Sequence, residues 1–255
     1  MKQKIKYMKV ISALSMTLVL SGCGVGMGTG SKSGITHNGS NYGTVKSPYT
    51  GKIWLDRNLG AERACATPND PKCYGDLYQW GRNTDGHEKR NSETTTVKEI
   101  SIKNTSSKFV LGGDWMEDGE DNGGAYRDAN WQRTDGGSVC PKGFRIPTVD
   151  EAEAELDILD VSRINRNNTL DKNFLKLPTG GWRLNGWMAY GKEGEITLKY
   201  YDDNPFGAIW VYNVSQPTDY YGFTKDDSYV GGSEFPFDRS VGLSVRCIKD
   251  DSESN

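Results

Sequence analysis

The chain has 255 residues, 25% of them charged, five cysteines, and a formal net charge of −3. That length suits one substantial domain plus flanking segments. The acidic balance argues against nucleic acid or anionic lipid headgroups as main partners, because counterion release needs a basic face.

The first nine residues carry Lys2, Lys4, Lys6 and Lys9 and no acid, and a mostly apolar run, Val10 to Leu20, follows. A positive head before an apolar segment of this length reads as a secretory signal, too short to span a bilayer as a finished helix. Leu20-Ser21-Gly22-Cys23 comes next and resembles a bacterial lipobox. The resemblance implies a signal peptide over 1–22, cleavage before Cys23, and thioether lipidation of that cysteine. Several acyl chains on one residue would hold the protein on a membrane durably, whereas one would not. With the four lysines gone, the formal charge falls from −3 to −7. The location implied is the cell envelope. Gly24 after Cys23 offers no acid to favour the inner membrane, which points to the outer membrane with possible surface exposure.

Residues 23–47 comprise the lipidated cysteine and a segment rich in Gly, Ser, Thr and Asn, which reads as a flexible tether. The domain is expected over 48–250, followed by a polar tail at 251–255.

Four cysteines remain, Cys65, Cys73, Cys140 and Cys247, an even set in an exported chain. They allow three pairings. The turn-rich ATPNDPK segment between the first two favours Cys65–Cys73 with Cys140–Cys247. Their spacing is not that of a zinc site, and the two histidines, His37 and His87, stand apart from them.

Within the domain, KIWLDRNL reads as a short strand and turn. Thr148-Val149-Asp150-Glu151 is a capping box, predicting a helix from Thr148 to near Asp160 with Ala152, Leu156 and Leu159 inward. EITLKYY and GAIWVYNV have strand composition. Val241, Leu243, Val245 and Cys247 alternate, the period of a strand with one buried face. The long 82–137 stretch reads as a functional or mobile loop. The expected class is α+β with little helix.

Five motifs in order, GKIWLDRNLGA (51–61), CYGDLYQWGR (73–82), CPKGFRIPT (140–148), LKLPTGGWR (175–183) and GLSVRC (242–247), resemble the Fibrobacter succinogenes major paralogous domain (FISUMP). The resemblance covers about 48–250. It implies a C-type-lectin-like or formylglycine-generating-enzyme-like fold, with a small twisted antiparallel sheet, one or two helices and long loops. Ala208-Ile209-Trp210-Val211-Tyr212 departs from the family pattern: the tryptophan is kept and the serines that commonly follow it are gone.

Candidate sites follow from the side chains. Asp118-Gly119-Glu120-Asp121-Asn122-Gly123 begins like an EF-hand calcium loop, but Glu stands at its third position and Ala129 at its twelfth. The favoured reading is a solvated acidic loop. If calcium binds, Asp118, Glu120, Asn122 and Asp128 would hold it; no other cofactor is expected. Trp115, Trp131, Trp182, Trp187 and Trp210, with Tyr220 and Tyr221, invite stacking on sugars, yet most must be core. Trp54, Trp80 and Trp210 read as structural, and Trp187 between Gly186 and Gly191 is the ligand candidate. Gln216-Pro217-Thr218-Asp219 reads as a turn. The acid pairs Asp202–Asp203 and Asp226–Asp227 specify no reaction. With the cysteines assigned to disulfides and neither histidine in a catalytic setting, no catalytic residue is expected. The expected role is a non-catalytic binding or adhesion module for a glycan or envelope protein; the alternative is a structural or assembly component of the envelope. The oligomeric state is left open.

Overall fold

The computed structural model describes residues 34–67, 69–156, 174–183, 206–213, 220–224, 228–231 and 238–251. The first element is a hairpin, β1 (Ile35–His37) and β2 (Ser40–Tyr42), closed by Asn38-Gly39. Both turn residues have positive φ, 46° and 77°, which an Asn-Gly pair accommodates at little cost. β3 (Thr44–Lys46) then pairs with β4 (Ile53–Leu55). This corrects the expected domain start at 48 and the described part of the tether, 34–47; residues 23–33 lie outside the described residues. Residues 35–46 form three short strands of the domain, held there because Tyr42 is buried in the main core and its hydroxyl accepts from the Gly60 N–H at 3.0 Å.

The largest sheet has four strands in the order β3-β4-β13-β8, with β8 at Phe144–Arg145 and β13 at Ile248–Lys249, all antiparallel. The C-terminal strand therefore lies at the centre, covered on both sides by earlier segments. A second antiparallel sheet has the order β11-β10-β9, from β9 (Phe206–Trp210), β10 (Tyr220–Thr224) and β11 (Ser228–Gly231). Two short pairs complete the described set. β5 (Tyr78–Gln79) runs antiparallel to β12 (Gly242–Leu243), and β6 (Thr94–Thr95) runs parallel to β7 (Phe109–Val110). Among the described residues the α-helices are α1 (Ala125–Trp131) and α2 (Val149–Leu156). The chain is thus mixed α/β with few helices and small antiparallel sheets.

Helix α2 starts where the capping box places it. The Thr148 hydroxyl accepts from the Glu151 N–H at 3.2 Å, and a Glu151 oxygen accepts from the Thr148 N–H at 2.9 Å. Ala152 is buried as expected. The inward face also carries a carboxylate, Glu155, which accepts hydrogen bonds from Ser47 Oγ (2.6 Å), Thr50 Oγ1 and Trp54 Nε1 (3.3 Å). Residues 157–160, with Leu159, lie outside the described residues.

Two disulfides join Cys65 to Cys73 and Cys140 to Cys247, the expected pairing. The final segment differs from expectation. Ser244 and Arg246 are as buried as Val245 and Cys247, so both faces of 241–248 are covered. Among the described residues no carboxylate lies at hydrogen-bond distance from Arg246: its guanidinium donates to Asn58 Oδ1 and to the carbonyls of Leu55 and Leu175. Burial holds its pKa down to about 9.

Candidate functional site

The 82–137 stretch is anchored rather than loose. It contains β6, β7, a 3-10 turn at Asn122–Gly124 and α1. Arg82 is its main strut. This buried guanidinium donates to Asp85 Oδ2 (2.8 Å), Gln79 Oε1 (2.8 Å), the Lys108 carbonyl (3.1 Å) and the Ser106 carbonyl. Gln79 extends the tie. Its amide nitrogen donates to the carbonyls of Val110 and Ser240, both at 2.7 Å, and its oxygen accepts from the Val110 N–H.

The acidic loop takes a form the sequence motif did not foresee. Asp118, Glu120 and Asn122 are exposed, while Asp121 is buried. Asp121 accepts from Arg127 Nε, and Asp114 takes the other guanidinium nitrogens of Arg127. Asp128, the proposed substitute ligand, points elsewhere and accepts from Trp80 Nε1 at 2.6 Å. Asp118, Glu120 and Asn122 are solvent-exposed, as the favoured reading has it, and Asp128 does not join them in the conditional calcium set. The cation that organises this loop is Arg127, held over the Trp115 ring at 5.1 Å while Arg82 lies 5.4 Å from the same ring. Gly81, at φ 78°, lets the backbone pass against Arg127, where a Cβ would collide with the arginine side chain.

The tryptophans sort as core. Trp54, Trp80, Trp115, Trp131 and Trp210 are fully buried, and Trp182 nearly so. Trp80 packs against Trp131 and Trp210, with ring centroids 4.8 and 5.3 Å away. Indole N–H groups are used internally: Trp115 donates to the Trp80 carbonyl at 2.8 Å, Trp131 to Arg82 O, and Trp210 to Tyr78 O at 2.7 Å. Stacking on a sugar by Trp115, Trp131, Trp182 or Trp210 is thereby excluded in this structure, since their faces are covered. Tyr49 and Tyr126 are the large aromatics exposed among the described residues. Cys23, Trp187, Gln216 to Asp219, and the pairs Asp202–Asp203 and Asp226–Asp227 lie outside the described residues, as do the side chains of Tyr220 and Tyr221.

A cluster of three ligand-type side chains does form at Asp85, His87 and Glu88. Sequence reading passed over it because DGHEK looks like an exposed turn, whereas His87 and Glu88 are buried. Its hydrogen bonds assign it to scaffolding. The Gln79 N–H donates to His87 Nε2 at 3.1 Å, so Nδ1 carries the ring proton and donates to Asp85 Oδ1 at 2.6 Å. A metal on Nδ1 would displace that proton while Nε2 still faces a backbone donor, leaving an imidazolate as the required ligand. The neutral donor set does not fit. Glu88 Oε2 accepts from the N–H groups of Asp85 (3.3 Å) and Gly86 (2.8 Å), closing the turn. Burial pushes the Asp85 carboxyl up, but the His87 hydrogen bond, the Arg82 charge and the Thr105 hydroxyl act against it and its pKa falls to about 2.

No described helix is long and apolar enough to cross a membrane. No family model, curated protein or solved structure matches the chain.

Proposed function

We propose that the chain is a lipid-anchored protein of the bacterial envelope, held through Cys23, whose FISUMP-like domain with a C-type-lectin-like fold binds a glycan or protein without transforming it. The observation that supports this most is how the long 82–137 segment is organised. Buried arginines and a glutamine tie it internally, so its outer surface is presented in one arrangement. Preorganised surface of that kind lowers the ordering cost of binding. The oxidised state of Cys65, Cys73, Cys140 and Cys247 supports binding over formylglycine-generating chemistry, which needs a reactive thiol. Of the buried acids of the segment, Asp121 is engaged with Arg127, and Glu88 uses one carboxylate oxygen within its own turn.

The test uses the full chain in detergent, presented to glycan arrays and to envelope protein extracts, with Cys23→Ser as the anchor control. Saturable binding without turnover supports the reading, and loss of membrane fractionation in Cys23→Ser supports the anchor. Turnover of a substrate that disappears on mutating a single acid overturns it. Permanent crosslinking to one outer-membrane protein in cells, with no soluble ligand, selects the assembly role instead.

A further inference from the structure

His87 and His37 are the only histidines in the chain, and they are wired in opposite ways. His87 is fully buried and uses both ring nitrogens, Nε2 as an acceptor from Gln79 N–H and Nδ1 as a donor to Asp85. His37 uses Nε2 as a donor to the Val139 carbonyl at 2.7 Å, so a second proton on its ring leaves that bond intact. A second proton on His87 lands on Nε2 and faces the Gln79 N–H at 3.1 Å, donor against donor. The ring can charge only by leaving that position.

We propose that His87 is an acid-released clasp: protonation of Nε2 breaks its bond to the Gln79 backbone and loosens the 85–88 turn from β5. Gln79 is a sensitive place to break. The same residue bridges Val110 of β7 and Ser240, ahead of β12, through its side chain, and its oxygen receives Arg82. One more backbone bond joins turn and strand, Leu77 N–H to the Glu88 carbonyl at 2.9 Å.

The charges facing His87 are mixed. Asp85 and Glu88 face it from its own turn, with Nδ1 2.6 Å from Asp85 Oδ1 and 3.6 Å from Glu88 Oε2. Arg82 opposes a proton from the preceding turn, and Lys89 neutralises part of Glu88 at 3.5 Å. From β5 and β7 the ring meets the aromatic faces of Tyr78 and Phe109, centroids 6.0 and 6.5 Å away, and Arg183 caps the Phe109 ring at 4.2 Å. Burial lowers the His87 pKa below 6.5, against the raising effect of Asp85. The sign follows. With its folded pKa depressed, the neutral ring contributes fully above pH 6.5, and the contribution is lost as pH falls below 6.5 towards the folded value.

The experiment is mass-spectrometric hydrogen exchange on the full chain between pH 7.5 and 5, reading the C2 hydrogen of each imidazole and the backbone amides, with amide rates corrected for intrinsic chemistry. His87 should titrate below 6.5, and opening of peptides covering 77–90 should rise as pH falls from 6.5 to 5.5, by up to about tenfold, the factor by which an exposed ring at 6.5 favours the open form. The β1–β2 hairpin should keep its protection through the titration of His37. His87→Gln keeps an acceptor for Gln79 and removes the titration, so its 77–90 protection should be flat with pH. Titration of His87 at or above 6.5 overturns the proposal. So does unchanged protection at 77–90 while His87 titrates, or an equal acid response in His87→Gln. Should His87→Gln not fold, the wild-type coupling of ring and amides decides alone.

Discussion

Arg127 carries most of the order in the acidic loop. Its side chain is nearly inaccessible, and it holds Asp121, which is buried, and Asp114, which is half-exposed. Burial lowers the Arg127 pKa, but the hydrogen bonds and charges of Asp114 and Asp121 outweigh it and raise it overall, so the guanidinium stays charged. Removing one partner of a buried pair leaves the other charge uncompensated, which costs about 3–5 kcal/mol. Arg127→Ala should therefore lose that much in guanidinium denaturation. Arg127→Lys should recover only part, because one ammonium cannot reproduce a guanidinium that donates to two carboxylates from separate nitrogens. Millimolar calcium should leave the wild-type melting temperature unchanged, since the cation position is already filled from within. A calcium-dependent rise would return the loop to metal binding. The sequence displayed these acids, but not their partner: an EF-hand pattern is read along the chain, and Arg127 follows the pattern's first half. Its competitor for the acids is geometric, set by α1 turning back over Trp115.

At the scale of elements, legibility tracks whether the signal is local. The α2 start was legible because Thr148 and Glu151 satisfy each other within one turn. The Glu155 clamp was not, because Ser47, Thr50 and Trp54 reach it from 101 to 108 residues away. The hairpin was missed for another reason: its Gly, Asn and Ser content dominated the composition, although Asn38-Gly39 is itself a hairpin signal. The consequence is testable by truncation. A chain beginning at Pro48 lacks Tyr42, the edge strand β3, and Ser47, the donor to buried Glu155. It should melt well below a chain beginning at Gly34. The loss combines a large buried aromatic with a buried carboxylate oxygen that loses its Ser47 donor, on the order of 3 kcal/mol or more. Equal melting temperatures would return residues 35–47 to the role of a tether. Restoring Ser47 alone should recover only the Glu155 share of the loss, because Tyr42 packs in the main core and not around α2.

At the scale of the molecule, the two disulfides differ in what they constrain. Cys65–Cys73 closes a segment of 8 residues, a local clip, whereas Cys140–Cys247 spans 107 and ties the segment before β8 to the one before the central strand β13. The alternation at 241–247 was legible, but its second buried face was not, because a serine and an arginine do not announce burial. Arg246 is accepted there because Asn58 Oδ1 and the carbonyls of Leu55 and Leu175 converge on it. Those carbonyls lie far apart in sequence, so the position of the last segment must be fixed before the cage can close. The long disulfide limits the unfolded chain in the same region, and in the chain-entropy model it contributes about 4–5 kcal/mol against roughly 2–3 for the short one. The double substitution Cys140→Ala with Cys247→Ala should therefore cost about 2 kcal/mol more than Cys65→Ala with Cys73→Ala. Denaturant titration of both variants under non-reducing conditions measures the difference. Near-equal losses would mean that the unfolded chain already holds 140 near 247, and that the long bridge adds little the packing of 241–248 does not supply. A loss confined to the long-bridge variant would instead place the central strand, and the arginine caged behind it, as the part of the fold that this covalent tie protects.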